Sequence, residues 1–373
     1  MIKQIRIRNF RSLHDVTVDL NPLTVLIGLS GTGKTNFVRA VRFLRDSLNS
    51  RSINFEPLGG ISRVLHVEHQ NESLRFDLVF FIDQSGTEYE YSLERHPTGQ
   101  IEESFKVSGK ILFQHEKNEW VVAPAVVPLP TPSGIMLGAI PGLQESTFAY
   151  VRLRGGIGCY DFSGDVLEGA GQNRESPERG LADRGDNYLQ VAERILSDLS
   201  KARNWKRIAV GMRAVNRAVA NLTLNVPTAD RLDVGHQFNG HVLSMDVRSE
   251  SEGFRRFLAH VLALYQNPSK QTLFFEHPES GLHSGALESL ANEFKTCPLD
   301  GRGQIILTTH SPQLLDYFPA ESLRVVDVKK MYTSIGPVSP EQMDSLREQL
   351  LNPGELLTVD PARLAGQLAE VPG

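Results

Sequence analysis

Two cysteines in 373 residues, Cys159 and Cys297, are too few for a disulfide framework, and their separation fits no metal-ligand spacing. They read as unpaired thiols in a reducing compartment. The chain offers no stretch of about 18 uninterrupted apolar residues, so no membrane-spanning helix is expected. The charged N-terminus "MIKQIRIRNF" lacks the apolar run of a signal peptide. Tandem repeats are missing too, as are heptads long enough for a coiled-coil arm. With a net charge of −5, neither sign dominates, so a nucleic-acid surface would have to be a local patch. A cytoplasmic location without membrane partners is the expectation. What is present, 40% hydrophobic and 22% charged residues, is the composition of an ordinary globular chain, long enough for one large domain or several lobes.

Residues 2–8 alternate Ile2, Ile5 and Ile7 with Lys3, Arg6 and Arg8, a strand with one basic face. "LTVLIG" at 23–28 is an apolar run of the kind buried on both faces of a sheet. Phe37, Val41, Leu44 and Leu48 then fall at helical spacing. "LRFDLVFFID", "EYEYSLER" and "KILFQ" alternate like an antiparallel meander. The Pro- and Gly-rich segment 123–147 and the polar segment 163–187 read as loops. Two helices are expected at about 187–201 and 206–220, forming a lid, and a third after Ser251. "TLFFE" and "QIILTTH", separated by the helical pattern "GALESLANEFK", have the βαβ rhythm of a parallel sheet.

"GLSGTGKT" at 28–35 fits G-x-x-x-x-G-K-[ST] with a strand before it and a helix after it, as phosphate binding requires. Gly28, Gly31 and Gly33 let the backbone curl so that N–H groups, those of Ser30 and Thr32 among them, face a phosphate. Lys34 can reach the β- and γ-phosphates, the Thr35 hydroxyl can ligate Mg²⁺, and Asn36 continues the first helical turn. The helix N-terminus adds a partial positive charge. The bland alternative is a Gly-rich turn beside a surface lysine, for which a matching strand and helix would be coincidental.

"IRIRNFRSL", "GLSGTGKTN", "SEG", "FFEHPESGLH" and "TTHSPQLL" follow one another in an order that resembles the ABC-type P-loop ATPase heads of the RecF, SMC and OLD class. The likeness is to compact bacterial AAA-family heads without a coiled coil. It implies an α/β P-loop fold with a mixed sheet core, an antiparallel β lobe and a helical lid. The corresponding segments are a nucleotide-binding lobe at 1–186, the lid at 187–265, a lobe with the Walker B carboxylate and switch histidine at 266–331 and a C-terminal tail at 332–373. By the same resemblance Gly28 to Thr35 are the Walker A loop, and Glu276 is the Walker B carboxylate that holds Mg²⁺ together with Thr35. Ser280 to His283 fall at the D-loop, and His310 at the switch histidine that senses the γ-phosphate. Ser251, Glu252 and Gly253 take the place of the signature motif, which contacts ATP bound by a partner subunit. The implied assembly is a two-fold homodimer sandwiching ATP and Mg²⁺. Ser30 stands where relatives often have Asn. The LSGGQ-type signature of transporter subunits is missing, and no acidic cluster after residue 310 suggests a Toprim nuclease domain.

The main departure is His277, which occupies the position of the family's catalytic glutamate. Hydrolysis needs a group that orients water and accepts its proton. Three readings stay open: His277 is a working base, it leaves an ATP-gated switch with negligible turnover, or Glu279 supplies the carboxylate across Pro278. Function is therefore expected to be that of an ATPase head coupling nucleotide state to DNA, RNA or an effector protein, with a non-hydrolysing scaffold as the alternative. For nucleic acid the sequence offers Arg194, Lys201, Arg203, Lys206, Arg207, Arg213 and Arg217, besides Lys3, Arg6, Arg8 and Arg11. Such a run is equally a solvated helix face. Trp205 within it reads as a stacking platform or a packing anchor.

Overall fold

The computed structural model describes residues 1–82, 85–126, 129–169, 180–197, 202–224 and 231–366. Contacts divide the chain into two compact units, Met1–Ile157 with Ala320–Leu351 and Val359–Gly373, and Gly158–Pro319 with Asn352–Thr358.

In the first unit the alternating N-terminal pattern does fold as a strand, Ile2–Phe10, in a seven-stranded antiparallel sheet. Its register sets Ile5 opposite Val18 and Leu78, and Ile7 opposite Val16 and Phe76, so these positions form an apolar patch on one face. The opposite face carries the charges, and there the basic residues meet acids. Arg6 pairs with Asp15 at 2.6 Å and Lys3 with Glu88 at 2.9 Å. The expected meander includes Leu74–Phe81, Glu88–Arg95 and Lys110–Glu116, with Ile101–Val107 as a further strand. Strand Leu23–Ile27 lies elsewhere in this unit, parallel to Leu323–Lys329, with Val25 opposite Leu323 and Ile27 opposite Val325. Helix Lys34–Ser50 follows it and buries Phe37, Val41, Leu44 and Leu48 completely, as the spacing predicts. The loop expected through 147 ends earlier, because helix Gln144–Gly156 begins within it.

The second unit contains the βαβ element. Strands Thr272–Glu276 and Gln304–Thr308 are parallel, in register from Thr272 opposite Gln304 to Glu276 opposite Thr308. Helix Ser284–Leu299 joins them. Helix Glu252–Tyr265 buries an almost continuous run from Phe257 to Tyr265. Within its core the His260 ring lies 5.5 Å from that of Phe275, and burial pushes this imidazole down to about 4. His260 is thus a neutral core residue, its Nδ1 bonded at 2.7 Å to the Arg256 carbonyl.

The lid segment differs from expectation. Its helices are Tyr188–Ser197 and Ala202–Met212, the second ending well short of residue 220. Strands Val219–Leu224, Leu232–Phe238 and His241–Asp246 then form a three-stranded antiparallel sheet. Alternating Val219, Leu222 and Leu224 supply the buried side of the first strand. Phe238 pairs with His241 across Asn239 and Gly240, whose φ angles of 47° and 83° are those of a tight two-residue hairpin. Of the polar segment expected as a loop, Gly164–Gly169 is helical, and residues 170–179 lie outside the described residues.

Candidate functional site

At the end of Leu23–Ile27 the chain turns sharply into a helix. Gly28, Gly31 and Gly33 adopt φ angles of 149°, 81° and 109°, a region L side chains rarely enter. A Cβ at Gly28 would lie 2.1 Å from the Val326 carbonyl oxygen, and one at Gly33 would lie 2.2 Å from Thr333 Oγ1. Space as well as conformation therefore demands glycine at both. Gly33 is the N-cap of helix Lys34–Ser50, and no side chain caps that end. Its first-turn N–H groups point out of the helix toward the loop.

Lys34 stands in this turn only 3% exposed. Its Nζ donates to the carbonyls of Gly28 and Leu29, both at 2.8 Å, and approaches Thr32 Oγ1 at 3.4 Å. Those oxygens carry partial charges only, so burial dominates and pushes the ammonium down to about 8. Leu29, Ser30 and Gly31 form the exposed rim, while Thr35 and Asn36 are half-buried in the first helical turn. The loop is clasped from behind: Thr333 Oγ1 donates to the Thr32 carbonyl at 2.8 Å and lies 2.8 Å from Ser12 Oγ. Asn36 Nδ2 donates to the same Ser12 oxygen at 2.8 Å.

The second unit gathers the other expected residues at the ends of its two parallel strands. Glu276 is the buried last residue of Thr272–Glu276. His277 turns away with φ 47°, and its N–H reaches the Thr308 carbonyl at 3.1 Å. That turn lays the His277 ring against His310, the centroids 5.1 Å apart and the planes 11° from parallel. Glu279 supports both. Its Oε1 accepts the His310 backbone N–H at 2.9 Å and lies 3.9 Å from His277 Nδ1. Burial alone would raise the Glu279 carboxyl, but the His277 ring, the His310 and Glu279 N–H groups and the Thr309 hydroxyl together hold it below the ordinary value. A carboxylate committed to this frame orients its neighbours.

Ser251 begins helix Glu252–Tyr265, its hydroxyl accepting the Phe254 N–H at 3.2 Å. Gly253 is required for close approach, since a Cβ there would lie 2.4 Å from the Gly281 carbonyl oxygen. Arg256 adds a bond to the Ser280 carbonyl at 3.1 Å. The signature-like turn and the turn after Glu279 are thus packed into one element.

The basic segment is less uniform than its sequence. Trp205 is buried, and its Nε1 donates to the Leu222 carbonyl at 3.2 Å, so it anchors packing and offers no stacking face. Arg213 folds onto the Val219 carbonyl at 3.0 Å, and Arg207 approaches Asp300 at 3.4 Å. Burial lowers the Arg194 guanidinium below its ordinary value. Lys201 lies outside the described residues.

A glycine-lined turn with a buried lysine at a helix start, in an α/β chain of several sheets, defines the P-loop class of nucleotide-binding folds. Residues 1–208, more than half of the 373, match the family described as "AAA ATPase domain", and the chain belongs to that family. Residues 169–316 match a model described as "AAA domain, putative AbiEii toxin, Type IV TA system". The chain is 23% identical over 352 residues to the OLD nuclease of Thermus scotoductus, covering 87% of this chain and 62% of that protein. It is 23% identical over 349 residues to the Old nuclease of Escherichia phage P2, covering 84% and 57%. It therefore spans about six tenths of the length of these curated relatives. In fold it is similar to an SMC head bound to the C-winged helix domain of ScpA, with a TM-score of 0.59, 13% identity and coverage of 92% of this chain and 99% of the other. An Smc head with an extended coiled coil from Pyrococcus furiosus, bound to the C-terminal domain of ScpA, gives 0.56, 12%, 94% and 99%.

The clasp formed by Ser12 and Thr333 escapes sequence reasoning, because Thr333 stands 301 residues beyond Thr32 and belongs to no local motif.

Proposed function

We propose that this chain binds ATP with Mg²⁺ and dimerises around it, coupling nucleotide state to a partner. The observation that carries the reading is Lys34, a buried cation at the centre of a glycine-lined helix start. Its carbonyl contacts are the kind that phosphate oxygens, bearing full charge, would replace with gain. In this reading Gly28, Ser30, Gly31, Thr32, Gly33 and Asn36 shape the cradle, and Lys34 spans the β- and γ-phosphates. The Thr35 hydroxyl and Glu276 carboxylate are hard oxygen donors of the kind that suits Mg²⁺. That ion would neutralise phosphate charge. Ser251 and Gly253 would meet the nucleotide of a second copy, and His310 would sense the γ-phosphate.

For hydrolysis, His277 is the proton acceptor. Water attacks the γ-phosphorus, the bond to the β-bridging oxygen breaks, and the water proton passes to the imidazole. Glu279 near Nδ1 then stabilises the imidazolium, the role a carboxylate plays behind a catalytic histidine. This division of labour gives Glu279 a positioning part and leaves the base at His277. A second reading, an ATP-gated switch with negligible turnover, is favoured by the stacking of His277 on His310, which commits a face of the ring to a neighbour. For partners, the acid-paired basic face of Ile2–Phe10 favours an effector protein over DNA or RNA. Relatives named as nucleases make a nuclease the first partner class to test. A cytoplasmic setting suits an ATP-dependent protein.

Lys34→Ala tests the core of the proposal. It should remove measurable ATP binding in a calorimetric titration, a loss of at least about 10²-fold, because a charge-assisted contact and the loop's only cation go together. ATP binding with unchanged affinity would overturn the assignment.

A further inference from the structure

Apart from the residues already assigned, the described part of the first unit gathers three imidazoles and two carboxylates in one place. His14 and His69 stack with centroids 3.9 Å apart, and His66 lies 5.1 Å from His69 and 5.8 Å from His14. Donor atoms of His14, His69 and Glu72 all lie within 4.8 Å of one another, and so do those of His66, Glu68 and His69. Two imidazoles bound to a single zinc ion at about 2.0–2.1 Å would have ring centroids roughly 5 Å apart, and His66 and His69 stand at that separation.

The surroundings prepare the rings for such a role. Glu72 Oε1 lies 2.6 Å from His69 Nδ1, the carboxylate–imidazole pairing that orients a metal-binding histidine. His69 Nε2 faces the Tyr332 hydroxyl at 3.0 Å, and that hydroxyl also bonds Glu68. His66 is 1% exposed, and no protein group meets its Nε2 in good hydrogen-bond geometry. The same holds for His14 Nδ1. Nothing in the phosphate-binding reading uses these residues.

We infer that His66 and His69, with Glu68 as the oxygen donor, form a binding site for a divalent transition-metal ion of the zinc class. Nitrogen donors with one carboxylate suit zinc, cobalt or nickel better than magnesium or calcium. Glu72 is the positioning residue behind His69. Binding at His66 Nε2 moves that ring's proton to Nδ1, and the bond from the Glu68 N–H, 3.2 Å long, is given up.

The test uses the full chain, stripped with chelator and titrated separately with Zn²⁺ by calorimetry and with Co²⁺ by visible absorption. One equivalent should bind, and the cobalt spectrum should show ligand-field bands without a thiolate charge-transfer band. His69→Gln should lower zinc affinity by more than 10²-fold, and Glu72→Gln by about 10–100-fold, as expected for an outer-shell partner. Because His69 is half-exposed, its variant should fold, and circular dichroism checks this. Should that variant misfold, Glu68→Gln in a folded protein must show the same loss. Absence of stoichiometric binding, a cobalt–thiolate band, or affinity retained in folded His69→Gln would overturn the site. Since no step involves nucleotide, the outcome is independent of the ATP-binding proposal.

Discussion

Binding of ATP should draw a proton from solution, and the amount should follow the buried Lys34 ammonium. With that group at about 8 in the free protein, about a tenth of molecules have lost the proton at pH 7, half at pH 8 and about nine tenths at pH 9. Phosphates at the cradle would return the ammonium toward or above its ordinary value, so each ATP bound should take up about 0.1, 0.5 and 0.9 protons at those pH values. If only the charged lysine binds, apparent affinity should be about tenfold weaker at pH 9 than at pH 7. The nucleotide's own phosphate, with its second ionisation near 6, contributes little in this range. Unfolding does not imitate the effect through this group. Between about 8 and 10.5 the folded free chain binds fewer protons than the unfolded one at Lys34, so rising pH stabilises the fold there. Calorimetric titrations in buffers of different ionisation enthalpy count the protons directly. Zero uptake at pH 8.5, with ATP bound normally, would refute the idea that a desolvated Lys34 meets the phosphates.

The remaining predictions concern the second unit. His277→Glu should raise the ATPase rate, by roughly 10²-fold or more if wild type is nearly inert. His277→Ala should abolish measurable turnover if the imidazole is the base, and leave an inert wild type unchanged if the protein is a switch; equal rates in all three proteins, read by phosphate release, would show that position 277 is not the base site. Ser251→Arg should prevent ATP-promoted dimerisation, because ATP that binds the dimer more fully than the monomer couples the two equilibria. A sedimentation profile indifferent to both ATP and the substitution would end that reading.

The residues that could be read in advance are those whose chemistry is local. Phe37, Val41, Leu44 and Leu48 declare a helix by spacing alone, and Gly28 to Thr35 declare a phosphate loop by composition and flanks. Glu276, His277, Glu279 and His310 were legible as strand-end residues, and the structure gathers them because the strands bearing them are parallel and in register. The frame that Glu279 makes with the His310 N–H was not legible, since a backbone bond across two strand ends leaves no mark in either segment. The hairpin at Asn239–Gly240 carried a strong local signal, but the basic, helix-forming run before it favoured extending a helix through residues 213–220. There Arg213 binds the Val219 carbonyl, closing the turn that ends the helix. Charge was the least faithful guide: Lys3 and Arg6 look like a binding face until the folded sheet brings Glu88 and Asp15 within ion-pair distance of them.

The clasp on the phosphate loop has a consequence for the order in which the protein matures. Strand Leu23–Ile27 takes one parallel partner from Leu323–Lys329, and the Thr32 carbonyl takes its donor from Thr333. A ribosome that has made the glycine turn must therefore add about three hundred further residues before the turn acquires its backing. The nascent chain carries the motif long before it has the shape that motif needs. The turn is backed only once residue 333 has been made, and a chain halted before residue 320 would keep the sequence signature while lacking both supports.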